Sequence, residues 1–327
     1  MLKVYDTFDG ALVGHGGDEP VGPHSIWIDL HKPTKDEERI VEAVLGVQVP
    51  TREEMQEIEA SSRLYQEGGA HFMTGVVLYQ PSNDGAPGVP IATPVTFILA
   101  AGRLVTVRYE EPRAFPLFLA RAHKKDTSCA TGCAVLIGLL EAIIDREADR
   151  VERIQSEVDK LGQGIFATDV ARMASSKRFE TAIKQIGREG ELTQRSRDCL
   201  LSLDRLLTYL AHAMGERGDE KALRARVKTA SRDVASLADH VGYLSNKIAF
   251  LLDATLGMIN IEQNTIIKIF SVASVALMPP TLIASIYGMN FKQMPELEWQ
   301  WGYPAAVGLM VISAVIPFVY FRRKGWF

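Results

Sequence analysis

The chain has 327 residues, a formal net charge of −4 and 23 % charged residues, with three cysteines. That balance gives no support to a nucleic-acid partner, and the low mean hydropathy of +0.02 excludes a protein that is membrane-embedded throughout. Met1 to Gly10 carries Lys3, Asp6 and Asp9 and lacks the apolar core of a secretion signal, so the long N-terminal part is expected to stay in the cytoplasm.

Residues 1–127 mix strand and helix signals. Ser25–Leu30, His71–Tyr79, Pro94–Leu99 and Arg103–Arg108 alternate as strands do, and Ala100-Ala101-Gly102 predicts a tight hairpin turn between the last two. Thr34-Lys35-Asp36-Glu37 and Thr51-Arg52-Glu53-Glu54 each open a helix with a capping box, the hydroxyl and the carboxylate satisfying each other's backbone donors. Gly14-His15-Gly16-Gly17 lacks the lysine of a phosphate loop and reads as a surface turn, and Pro81–Pro90 reads as a polar loop. The expected fold class is an α+β domain with a mixed or mostly antiparallel sheet and flanking helices.

Residues 128–267 lose the strand signal and read as a helical bundle and stalk. One helix is expected to about Leu161, broken by Gly162-Gln163-Gly164. A second is expected from about Thr168 to Met214, broken by Gly215-Glu216-Arg217-Gly218. Gly162–Ala167 mimics a dinucleotide-binding fingerprint, but it follows a helix and no βαβ unit surrounds it, so no nucleotide site is expected there. Glu141, Asp145, Arg146, Glu147, Asp149, Arg150, Glu152 and Arg153 crowd one helix. They read as a solvated face of i,i+4 pairs, with weak attraction for divalent cations as the alternative. Cys129 and Cys133 lie one helical turn apart with only His123 nearby, too few ligands for zinc. With Cys199 they read as small buried thiols in a reducing compartment.

The third helix begins near Asp219 and meets no proline before Pro279, about 100 Å at 1.5 Å per residue. Leu223, Val227, Ala230, Val234, Leu237, Val241, Leu244, Ile248, Leu251 and Met258 follow steps of four and three, interrupted by Thr255. That period packs a long helix against its neighbours.

No charge occurs between Lys268 and Lys292, nor between Glu298 and Arg322. Each window is roughly 20 residues, enough to cross a bilayer as a helix. The expected layout is a first span at 268–290, a loop at 291–302, a second span at 303–321 and a basic tail at 322–327. Arg322-Arg323-Lys324 places the tail, and with two spans both termini, on the cytoplasmic side.

A second stripe runs along the first span and the helix before it: Asp253, Gly257, Asn260, Asn264, Ile267, Ser271, Ser274, Met278, Thr281 and Ser285. A lipid-facing stripe would be Leu, Val and Ile. Small polar residues also serve close helix packing in membranes, but Asn264 and Asp253 need water, ions or partners. A water-filled path lined by several copies of the helix satisfies them all, and one hairpin cannot enclose a pore, so the reading demands a homo-oligomer. Asn290 falls five residues past Ser285 and breaks the spacing, which predicts a helix that ends at Gly288 with Asn290 at the mouth. No Ser/His/Asp or Cys/His constellation anchors an enzyme.

Three segments carry a family resemblance: Gly257–Asn264, Met278-Pro279-Pro280-Thr281 and Tyr287-Gly288-Met289-Asn290-Phe291. Met294–Leu297, Trp27–Leu30, Glu57–Arg63 and the basic, aromatic C-terminus add to it. The chain resembles the CorA magnesium channel family, in its enterobacterial-type branch, over almost its whole length. The resemblance implies a homopentameric funnel in the bacterial inner membrane, with a long stalk helix continuing into the pore-lining span. It implies passive Mg²⁺ influx, with Co²⁺ and Ni²⁺ as further substrates and no organic cofactor. It implies Gly288, Met289 and Asn290 as the selectivity filter, with Asn290 holding the ion through its hydration shell. Ile267, Phe270 and Met278 match hydrophobic gate positions, while Thr281, Asn264 and Asp253 match polar stations, Asp253 as a further metal contact. Closure by cytoplasmic Mg²⁺ is implied too, although the position matching one regulatory acidic residue falls near Thr229, with Asp233 close by. The alternatives are a zinc transporter of the related branch, which departs from Met at the triplet's centre, and a membrane-anchored sensor.

Overall fold

The computed structural model describes residues 1–8, 10–16, 21–22, 24–83, 86–123, 129–166, 175–217, 221–290, 294–295 and 299–325. They form two units, Met1–Met173 with Glu180–Leu251, and Ala174–Phe179 with Leu252–Phe327.

The first unit is built on a seven-stranded mixed sheet. Its strands are β1 (Leu2–Phe8), β2 (Ala11–Gly16), β3 (Ser25–His31), β4 (Leu64–Glu67), β5 (Ala70–Tyr79), β8 (Ile91–Ala100) and β9 (Arg103–Arg108), in the order β2-β1-β3-β9-β8-β5-β4. The pair β3/β9 is parallel and every other pair antiparallel. A small separate hairpin, β6 (Ser82–Asn83) and β7 (Ala86–Pro87), sits in the segment read as a polar loop. The β8–β9 turn is as expected, with Ala101 and Gly102 both at positive φ (48° and 79°), the backbone twist that a two-residue hairpin requires.

Alternation along the strands gives the sheet two apolar faces. Ile28, Leu30, Phe72, Ile98, Val105 and Val107 pack with Val41 of α1 (Lys35–Leu45) and Met55 of α2 (Arg52–Gln56). Trp27, Met73, Phe97 and Leu104 point the other way, into a core shared with α4 (Ala114–Ala122), α5 (Gly132–Phe166), α6 (Ser175–Arg217) and α7 (Lys221–Tyr287). The four-residue helix α3 (Ala60–Arg63) leads into β4. Both predicted capping boxes are present, at Thr34/Glu37 and Thr51/Glu54. Between β3 and β9 runs a buried polar chain. Trp27 Nε1 donates to Thr106 Oγ1 (3.0 Å), which donates to Asp29 (2.7 Å), and Arg108 grips the same carboxylate at 2.8 Å.

Three expectations need correction. Gly14–Gly16 is strand, not turn, because β2 pairs with β1 along Lys3↔Gly16 to Phe8↔Ala11; Gly17 lies outside the described residues. α5 continues through Gly162-Gln163-Gly164 to Phe166 and α6 through Gly215 to Arg217. A mid-helix glycine costs only about 1 kcal/mol, less than burial of the surrounding apolar face returns. Thr168–Ala174, where the second helix was expected to begin, lies outside the described residues. The heptad seam of α7 is buried or half-buried at every expected position, including Thr255.

The second unit contains the end of α7 and α8 (Gly302–Arg323). Each helix has an 18-residue window long and apolar enough to cross a membrane, of which only 6 % and 0 % respectively is buried. Core helices of that composition are covered by protein, whereas these are bare.

Candidate ion path

Within the span, cover is confined to one line of α7. Val272 is buried and Ala276, Pro279, Pro280 and Ile283 are half-buried. The prolines, which lack a backbone donor, sit in this line inside an unbroken helix. On a helix of 3.6 residues per turn, the line lies about 160° round from the centre of Ile267, Ser271, Ser274, Met278, Thr281 and Ser285. All ten stripe residues from Asp253 to Ser285 are exposed in the single chain. Ile267 and Met278 are 61 % and 69 % exposed, and Phe270, to one side of the stripe, is 69 % exposed.

Two hydroxyls of the stripe are oriented. Ser274 Oγ donates to Phe270 O (2.9 Å) and Thr281 Oγ1 donates to Leu277 O (2.8 Å). The proton of each is spent on its own helix, so the oxygen turns lone pairs outward. Such an oxygen accepts a hydrogen bond from water or faces a cation; it does not present a donor.

α7 ends at Tyr287. Gly288 N–H donates to Ala284 O (2.9 Å) and Met289 N–H to Ile286 O (3.3 Å), closing the last turn. A Cβ on residue 288 would lie 3.1 Å from Ala284 O, so the turn off the helix is tight. Asn290 follows outside the helix and is exposed. Lys292, Glu296 and Glu298 of the loop lie outside the described residues. Ahead of α8 and at its start, Trp299, Trp301 and Tyr303 are exposed, the residue types that settle at a membrane–water boundary. Arg322 and Arg323 occupy the other end of α8.

The charged face of α5 is solvated at Asp145, Asp149, Glu152 and Arg153, as expected, but its pairs are not the i,i+4 ones. Glu141 is held by Arg226 (2.6 and 2.9 Å), Asp145 by Arg121 (3.2 Å) and Asp149 by Arg146 (2.8 Å). Glu147 is buried and paired with Arg150; burial pushes its carboxyl up and Arg150 pulls it down, with the net shift upward. The pairs run across helices or at i,i+3, which charge density along one sequence cannot reveal. Thr229 and Asp233 line a cleft of about 340 Å³ with these paired groups. Among the described residues no three His, Cys, Asp or Glu side chains are grouped closely enough to hold a metal ion. The three cysteines are buried and outside any disulfide, and burial pushes Cys129 up to about 11 and Cys199 well above its usual value. His123 Nδ1 lies 2.8 Å from Leu12 O.

A mixed-sheet domain, a long helix that runs on into an apolar span, and a second span beside it define a two-span integral membrane protein. The family model described as CorA-like Mg²⁺ transporter protein matches residues 23–323. The chain is 36 % identical over 302 residues to the magnesium transport protein CorA of Yersinia pseudotuberculosis, covering 92 % of each chain. It is 35 % identical over 303 residues to that of Escherichia coli K12, covering 93 % of this chain and 92 % of the relative. Its fold is similar to the complete structure of the CorA magnesium transporter from Methanocaldococcus jannaschii, with a TM-score of 0.76 at 19 % identity over 100 % and 99 % of the two chains. The chain belongs to the CorA-like Mg²⁺ transporter family, and it is a transporter rather than an enzyme.

Proposed function

We propose that the chain forms a homopentameric channel for passive Mg²⁺ influx through a bacterial inner membrane, with both termini in the cytoplasm and α7 lining the path. The single observation that carries this reading is the exposed polar stripe opposite the covered line of α7. A tether would have no use for it.

In this reading the ion meets Asn290 first, with Gly288 and Met289 setting the turn that presents it. Mg²⁺ surrenders its waters reluctantly, and a ring of neutral amides accepts hydrogen bonds from the hydration shell without stripping it. A ring of carboxylates would bind more tightly and slow release. The oriented oxygens of Thr281 and Ser274, with Ser285 and Ser271, continue the same contact inward. Met278, Ile267 and Phe270 supply apolar constrictions that close by dewetting. Asn264, Asn260 and Asp253 serve as polar stations beyond them. A potential of about 100 mV, negative inside, favours a divalent cation by roughly 4–5 kcal/mol, so no ATP site is required. Co²⁺ and Ni²⁺ share the divalent charge and are further substrates in this reading, and cytoplasmic Mg²⁺ closes the channel.

Purified protein in liposomes loaded with a Mg²⁺ indicator tests the reading. Wild type should admit Mg²⁺ in preference to Zn²⁺ under an inside-negative potential, and Asn290→Ala should change uptake by tenfold or more. Uptake in the variant with the rate and the Mg²⁺ preference of wild type would remove the filter from the proposal.

A further inference from the structure

Away from the membrane spans, a cleft of about 260 Å³ opens between α5, α6 and the segment around β6 and β7. Its polar lining is dominated by four arginines: Arg146, Arg150 and Arg153 from α5 and Arg188 from α6. Two of them are committed, Arg146 to Asp149 and Arg150 to the buried Glu147. Arg153 and Arg188 are exposed and make no ion pair among the described residues. The cleft holds two carboxylates in return. Glu157 is neutralised by Lys160 at 2.7 Å; burial pushes the Glu189 carboxyl up while the Arg188 guanidinium pulls it down, so it offsets at most one of the two uncommitted arginines. The cleft therefore carries a surplus of positive charge, focused in a concavity rather than spread over a convex face.

The wall opposite the arginines is fixed. Gln80 Nε2 donates to Gly88 O (3.1 Å), Gly88 N–H donates to Pro81 O (2.8 Å), and Arg195 of α6 donates to Pro90 O. A second, smaller cleft shares Gln80, Arg146 and Arg150 and adds Arg113. Inside it the buried Glu147 is paired with Arg150. The basic region thus continues past the first cleft.

We propose that this cleft binds a polyphosphate anion, either inorganic triphosphate or the phosphate chain of a nucleotide. Guanidinium forks match phosphate oxygens two at a time, and Arg is the residue suited to that geometry. A cleft of about 260 Å³ is more than a lone orthophosphate fills and enough for two or three phosphoryl groups in a row. Ile154 and Leu192 close one side with apolar surface, which strengthens the charge contacts by excluding water.

The test is equilibrium dialysis of the full-length protein in detergent, with EDTA present so that the free anions are the probes. Triphosphate and ATP should bind saturably and orthophosphate at least tenfold more weakly. Equal affinity for triphosphate and ATP identifies the phosphate chain as all that is read; tighter ATP binding identifies a nucleotide. Arg153→Ala with Arg188→Ala should weaken triphosphate binding by tenfold or more, whereas Arg232→Ala on α7 should leave it unchanged. Both cleft residues are exposed, so the double variant should keep the wild-type circular dichroism. Replacing the same pair by lysine should restore only part of the affinity, because the charge returns without the fork. Absence of saturable binding, unaltered affinity in the double alanine variant, or equal competition by an acidic polyglutamate peptide would each overturn the proposal.

Discussion

Thr281→Val tests the oriented oxygens of the stripe. The replacement is nearly isosteric, keeps the β-branch and removes one acceptor per copy. Thr281 is exposed in the chain, and its hydroxyl donates to Leu277 O at 2.8 Å. That carbonyl keeps its helical amide partner when the hydroxyl is gone, so no buried group is stranded and stability should move by less than about 1 kcal/mol. The cost falls on the ion. A hydrogen bond contributes about 0.5–1.5 kcal/mol net; at the low end, the five copies of the proposed pentamer lose about 2.5 kcal/mol for a hydrated cation passing their ring. With 1.36 kcal/mol per tenfold, that is roughly 70-fold slower passage. The assay is initial Mg²⁺ uptake into liposomes at fixed potential, with reconstituted protein quantified for each sample. Uptake within twofold of wild type would refute the argument that these oxygens contact the ion's hydration shell.

Two further predictions concern the first unit. Asp29→Asn leaves the buried Arg108 guanidinium without its counter-charge, which should cost about 3–5 kcal/mol and appear as a lowered thermal midpoint; a loss under 1 kcal/mol would contradict the pairing. Burial opposes ionisation of Glu37, but hydrogen bonds from Thr34 N–H (2.8 Å), the Met1 ammonium (2.9 Å) and Leu2 N–H (2.8 Å) outweigh it and hold its carboxyl below the usual 4.5. Such a group stabilises the fold fully above its unfolded value and loses that contribution as pH falls through the lower folded value. Glu37→Gln should therefore be less stable than wild type at neutral pH, and the gap should close as pH falls through the lowered folded value. A gap independent of pH would rule out ionisation as its source.

Periodic features were legible from residues alone. The four–three seam from Leu223 to Met258 is buried or half-buried throughout, because a long helix has only one way to hide such a stripe. The capping boxes at Thr34 and Thr51 are local, and local chemistry does not depend on the rest of the fold. The strands β1, β2 and β4 were missed. Leu2–Phe8 is broken by Lys3 and Asp6, and β2 is half glycine and histidine; both are strands because their neighbours supply hydrogen bonds. Helix ends were misplaced at Gly162 and Gly215 for the opposite reason: a glycine signals a stop only where the chain takes positive φ, as Gly46 does at the end of α1 with φ of 73°. The candidate site divides in the same way. The polar stripe follows from spacing, whereas the covered line at Val272, Ala276 and Ile283 is visible only once the span is folded. The arginine cleft joins α5, α6 and a distant loop, a meeting that no single stretch of sequence announces.

The central claim is that one face of α7 lines the ion path, and single-cysteine accessibility reads that face directly. The native thiols Cys129, Cys133 and Cys199 are buried, so a charged thiol reagent should meet little background. Cysteine at Ser271, Ser274, Thr281 or Ser285 should let the reagent block Mg²⁺ uptake, and cysteine at Ile269 or Ala276, on the far side of the same helix, should not. Block that ignores the four–three spacing, or that falls on Ile269 and Ala276 instead, would contradict the account.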